Sequence, residues 1–216
     1  MKKIYPNIFF LVIIIFSCAV IRAQNNYFDS LFSANEKIYN FQFQSADSAI
    51  KKLKSSYPGE YLPLLLSANY YWWMIISGID TMQTEENYYG NLNKSLSLIS
   101  HEKNSIYSND SLYGLITTYA YLARIHAMNN RHFSALKQLN NCIEFVKQSF
   151  GKEEEYDWFL LTSGLYNYYM EAVKKNYPFL IPYLIFLPNG NTFAGLSFLK
   201  QASISKNDLL SSEANY

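Results

Sequence analysis

Apolar residues return every three or four positions through most of the chain. The sets Phe43, Ala46, Ile50, Leu53, Tyr57 and Tyr89, Leu92, Leu96, Ile99 keep that spacing. So do Leu136, Leu139, Ile143, Val146, Phe150 and Trp158, Leu161, Leu165, Tyr168, Ala172. A helical period of about 3.6 residues places each set on one stripe of a helix. Strand-type alternation bounded by hairpin turns is absent, so no β architecture is expected. Breakers at Pro58-Gly59, Gly78, Asn109-Asp110, Asn129-Asn130, Gly151, Pro178, Pro188-Asn189-Gly190 and Asn207-Asp208 interrupt the pattern. They predict helices over 26–40, 42–56, 60–77, 83–100, 107–128, 131–149, 153–175, 178–187, 192–204 and from 208 onward. Most connections are a few residues long, which makes successive helices antiparallel neighbours in an all-α fold.

The first residues follow a different pattern. Lys2 and Lys3 precede an apolar stretch from Ile8 to Ile21, and Ala23 stands before Gln24. A basic start, a short apolar core and a small residue at its end describe a signal peptide over 1–23, leaving 24–216 as one helical repeat domain. The stretch is shorter than the ~20 residues needed to cross a bilayer. The expected location is therefore the periplasm or cell envelope of a bacterium. Two other readings stay open: an uncleaved anchor, and lipidation at Cys18, since Ile15-Phe16-Ser17-Cys18 resembles a bacterial lipobox. Either would tie the protein to a membrane.

Composition narrows the class. Half of the 216 residues are apolar and only 16% are charged, too apolar for a disordered chain. Removing 1–23 leaves 15 basic against 17 acidic residues, a formal charge of −2. There is no basic footprint for nucleic acid. Cys142 is the one cysteine left, which excludes an intramolecular disulfide and reads as a buried, inert thiol on an apolar helix face.

Small residues give the helix pairs a possible repeat. Ala34 and Ala68 are 34 apart, the tetratricopeptide period, and Ala34–Ala46 and Ala123–Ala135 are each twelve apart. Tyr119, Leu122, Ala123, then Ala135, Leu139, Cys142 follow the motif's order of large and small positions, and Pro58 stands where its second helix ends. The chain thus resembles tetratricopeptide-repeat proteins over about half of 24–216, although Asp80 replaces a small residue and no unit is complete. Gly164 to Tyr169, Pro178, Pro188-Asn189-Gly190, Gly195-Leu196 and Leu199 to Ala202 look like a segment of secreted bacterial repeat proteins. That segment is also similar to the periplasmic repeat component of some solute transporters. The resemblance implies antiparallel helix pairs stacked into a right-handed solenoid with a concave face. Ser212-Glu213-Ala214-Asn215-Tyr216 echoes Ser67-Ala68-Asn69-Tyr70 and reads as the start of a further unit or as a capping helix.

Candidate chemistry is sparse. His101, His126 and His132 have no metal-ligand spacing, and neither a nucleophile elbow nor a phosphate loop is present. Glu153-Glu154-Glu155 fits the first turn of a helix, where acidic residues complement the dipole. No catalytic residue, cofactor or metal is expected. The tyrosines and tryptophans instead divide between core filling and an outward recognition surface, for which Tyr71, Trp72, Tyr119 and Tyr168 are the candidates. Phe179 to Leu187 reads as a short buried helix or as a contact for a membrane or partner. The expected function is non-catalytic binding of a protein or peptide. The alternative is a small-ligand or transporter-accessory subunit, which would show an enclosed cavity ringed by Tyr, Trp and a few charges.

Overall fold

The computed structural model describes residues 26–79, 82–100, 107–176, 181–184 and 187–215. The signal segment with Cys18, together with Asp80, His101 and Phe179, Leu180, Ile185 and Phe186 of the Phe179–Leu187 stretch, lies outside them. Among the described residues there are helices and turns but no strand. In chain order the helices are α1 (26–39), α2 (Phe43–Ser56), α3 (Leu62–Ile76), α4 (Met82–Ser100) and α5 (Asn109–Met128). They continue with α6 (His132–Ser149), α7 (Trp158–Asn176), α8 (Ile181–Leu184), α9 (Thr192–Ser203) and α10 (Asp208–Asn215). Among these residues no helix is long and apolar enough to cross a membrane.

Most ends fall where the breakers placed them. Ser108 caps α5 by accepting from the Ser111 N–H, and Asn191 caps α9 by accepting from the Ala194 N–H. Gly78 closes α3 at φ +77°, a left-handed conformation that costs glycine little. The larger differences lie later in the chain. α7 starts at Trp158, not near 153, because 151–157 form turns after Gly151 at φ +80°. Glu153, Glu154 and Glu155 therefore do not occupy a helical first turn; Glu153 instead accepts a hydrogen bond of 2.7 Å from the Ser163 hydroxyl. Of the helix expected over 178–187, only Ile181–Leu184 is described as helical.

Most of the longer helices pack on their chain neighbours. α2 meets α3, α3 meets α4, α4 meets α5, α5 meets α6, and α9 meets both α7 and α10. Contacts also join α3 to α5, α5 to α7, and α7 to α10. α3 is buried nearly all round, with Leu64, Leu65, Leu66, Ala68 and Tyr70 shielded, which marks it as a central helix. Ala34, Ala46 and Ala68, the small residues of the repeat pattern, have no exposed surface. Glycines set the closest approach: a Cβ on Gly195 of α9 would stand 2.7 Å from the Tyr168 backbone nitrogen of α7. At Gly164 of α7 it would stand 2.8 Å from Leu199.

Not every predicted stripe is core. On α6, Ile143 and Val146 are buried, whereas Leu136 and Leu139 are 37% and 39% exposed. On α7 Trp158 of the expected stripe is buried, but the rest of the buried face runs through Phe159, Ser163, Tyr166 and Met170, one step round from Leu161, Leu165 and Tyr168. Leu165 is 39% exposed. Leu139, Leu161 and Leu165 face a cavity, whereas Leu136 does not line it.

Candidate functional site

A cavity of about 590 Å³ opens between α3, α5, α6, α7 and α10. Its volume lies in the range of about 300–1,000 Å³ in which proteins hold small ligands. Each wall follows from helical spacing. α5 contributes Tyr113, Ile116, Thr117, Ala120, Tyr121 and Arg124, a single stripe three and four residues apart. α6 contributes Leu139, Cys142, Ile143 and Val146 on the same rule. From α7 come Leu161, Leu165, Tyr169 and Val173, so the displaced stripes of α6 and α7 form its apolar side.

The polar side is built around Arg124. Its guanidinium carbon lies 3.8 Å from the Tyr121 ring centroid and 4.2 Å from that of Trp72. Rings at that distance attract a cation through their negative faces. Nε donates to the Tyr88 hydroxyl at 3.0 Å, and Nη2 reaches Asn69 Oδ1 at 3.4 Å. Tyr88 is fully buried and in turn donates to the Tyr121 carbonyl at 2.7 Å. Burial pushes the Tyr88 hydroxyl up to about 12, with Arg124 pulling the other way, so it stays protonated and able to donate at neutral pH. Arg124 is thus fixed in plane and position by α3, α4 and its own helix.

Glu213 on α10 faces the same cavity. Its Oε1 accepts from Asn35 Nδ2 at 3.1 Å and from the Tyr39 hydroxyl at 2.9 Å, which ties α10 to α1. Tyr39 is also hydrogen-bonded to Asn69. One polar chain therefore runs from Asn35 through Glu213, Tyr39, Asn69 and Arg124 to Tyr88. Burial raises the Glu213 carboxyl above its ordinary range, and its two hydrogen bonds and Arg124 only partly oppose that shift. Arg124 takes part in none of the ion pairs of the described residues, which join Lys51 to Asp47, Arg131 to Glu85 and Lys147 to Glu144.

The remaining chemical groups are quiet. Cys142 is buried, its thiol donates to the Ile116 carbonyl at 3.4 Å, and burial pushes it up to about 12. It carries almost no thiolate at neutral pH. His126 lies against Tyr89, with Nδ1 3.3 Å from the hydroxyl, away from the cavity. His132 is exposed at the start of α6. Among the described residues no cluster of His, Cys, Asp or Glu is arranged to hold a metal ion.

Of the four aromatic candidates, Trp72 lines the cavity and stacks on Arg124. Tyr71 packs between the two core clusters beside Tyr70, ring centroids 5.0 Å apart. Tyr119 stacks on Phe145 of α6 at 5.7 Å with rings nearly parallel. Tyr168 is part-exposed against Tyr169. The aromatic-cluster signal thus found one wall residue and passed over Arg124, Asn69 and Glu213. A usable signal existed at Arg124: a cation in the apolar stretch of α5, three residues after Tyr121 and on its face. No family model matches the chain, and comparison with curated proteins and with solved structures gave no match.

Proposed function

We propose that this chain is an exported, non-catalytic helical-repeat binding protein that holds a compact, largely apolar ligand in the cavity between α5, α6 and α7. Contacts between successive and next-but-one helices support a stacked, antiparallel solenoid. The observation that carries the function is a 590 Å³ cavity with apolar walls and Arg124 and Glu213 at its polar side. Tyr, Trp and a few charges ring a half-open cavity whose volume suits a small molecule better than an extended peptide. Catalysis finds no support in the lining groups, since burial holds the Cys142 thiol and the Tyr121 hydroxyl protonated. Export rests on the composition of 1–23.

Thermal-shift measurements test the reading. Compact apolar molecules should raise the melting temperature, and unstructured peptides of similar composition should not. Ala120→Trp, which fills the cavity from α5, should abolish the shift while leaving helicity intact. Peptide binding that survives Ala120→Trp in a folded protein refutes it.

A further inference from the structure

We infer that the ligand of this cavity is an amphipathic carboxylate, its carboxylate held by the open edge of Arg124 and its apolar body lying against α6 and α7. The inference rests on the small-ligand reading above and adds the head-group chemistry. A guanidinium carries five N–H donors in a rigid fork. In Arg124 the Nε donor is taken by Tyr88 and one Nη2 donor by Asn69. Both Nη1 donors and one on Nη2 remain, and Nη1 has no partner among the described residues. A fork with donors left on both terminal nitrogens matches the two oxygens of a carboxylate.

The setting of Arg124 favours an anion over a neutral group. The side chain is half-buried between Trp72 and Tyr121 and lacks a carboxylate partner among the described residues. A partly desolvated charge that has no direct ion pair, and that the Glu213 carboxyl offsets only through space, is costly, and an anion entering the cavity reduces that cost. The stacked rings and the Tyr88 hydrogen bond hold the fork before ligand arrives, so little ordering remains to oppose binding.

Glu213 has to be reconciled with an anion in the same cavity. One of its oxygens already accepts from Asn35 and Tyr39, so the carboxyl is engaged with α1 and not with Arg124. Its raised affinity for a proton further weakens its repulsion of an incoming carboxylate. Opposite the polar side, Leu139, Ile143, Val146, Leu161 and Leu165 offer an apolar surface with no donor or acceptor on the side chains. A doubly charged phosphate loses more hydration in such a place than a carboxylate does.

Calorimetric titration of the full chain with decanoate, decan-1-ol and decylammonium at one ionic strength tests the head group. Decanoate should bind at least about tenfold more tightly than decan-1-ol, and decylammonium weakest of the three. In Arg124→Gln decanoate should bind no more tightly than decan-1-ol does to the same variant. Arg124→Lys, which keeps the charge without the planar fork, should recover only part of it. Circular dichroism reports whether each variant folds, and the three-ligand comparison on unaltered protein stands without them. If decan-1-ol or decylammonium binds as tightly as decanoate, the carboxylate assignment is overturned and the cavity reading survives. If folded Arg124→Gln keeps the preference, the assignment to Arg124 is overturned. If none of the three binds, both readings fall.

Discussion

The block formed by α3, α4 and α5 and the wall formed by α6 and α7 use the same apolar spacing to different ends. In the first, Leu92, Tyr88 and Ile125 have no exposed surface, and Leu115 and Leu122 are buried beside them. In the second, Leu136, Leu139 and Leu165 keep more than a third of their surface. Close-packed interiors leave few voids larger than a water molecule, so a half-bare stripe on two adjacent helices is an architectural feature. The filled block holds Arg124 in place, and the bare wall supplies apolar contact. A periodic pattern records that a helix face avoids water; it does not record whether side chains or a ligand will cover it.

The sharpest way to break this contrast is to truncate a leucine on each side. Leu92→Ala should cost about 2–5 kcal/mol, because a fully buried side chain leaves a cavity that its neighbours cannot fill. Leu165→Ala should cost below about 1 kcal/mol, since its contacts are incomplete. Urea denaturation of both variants gives the difference, and equal losses would remove the distinction between the two regions.

A smaller effect is expected where α9 braces the wall. Gly195→Ala gains helix propensity but sets a methyl group 2.7 Å from the Tyr168 backbone nitrogen and 2.9 Å from the Gly164 carbonyl. Backbone atoms cannot swing aside as a flexible side chain can. A net loss of about 1–3 kcal/mol is expected from chemical denaturation, and a neutral outcome would mean that α7 and α9 separate easily.

The smallest effect concerns the tie between α10 and α1. An acid whose pKa rises on folding binds its proton more tightly in the native state. The folded form is therefore favoured at low pH, and that contribution is lost as pH climbs from the ordinary carboxyl range through the raised value. Glu213→Gln keeps an oxygen that accepts from Asn35 and Tyr39 but carries no charge. Its melting temperature should gain on that of the parent between about pH 4 and neutrality. Parallel curves would show that the Glu213 carboxyl does not carry this penalty.

Helix class was the most legible property, because caps and breakers act within a few residues of the ends they set. Asn191 and Gly78 fall where the sequence pattern puts helix ends, and Ser108 caps α5 just inside the expected start at 107. The start of α7 was misplaced because Glu153-Glu154-Glu155 suits a helical first turn, whereas Gly151 and the burial of Trp158 and Phe159 set the boundary. Beyond Trp158, the buried stripe on α7 runs one step from the expected one for a related reason: Leu161 and Leu165 are as apolar as Phe159 and Met170. Of the candidate site, Trp72 was readable as an aromatic on a central helix. Asn69, Arg124 and Glu213 come from α3, α5 and α10, so their convergence is a property of the packed chain and has no local signal.

The stability of Ala120→Trp, set against Leu115→Trp on the same helix, tests the central claim most directly. Ala120 looks into the cavity, and Leu115 into the filled block. Under this account Ala120→Trp stays within about 1 kcal/mol of the parent, because the indole enters open space, while Leu115→Trp loses about 1–3 kcal/mol to overpacking. A loss at Ala120 as large as that at Leu115 would mean that α5, α6 and α7 close on one another and leave no room for a ligand.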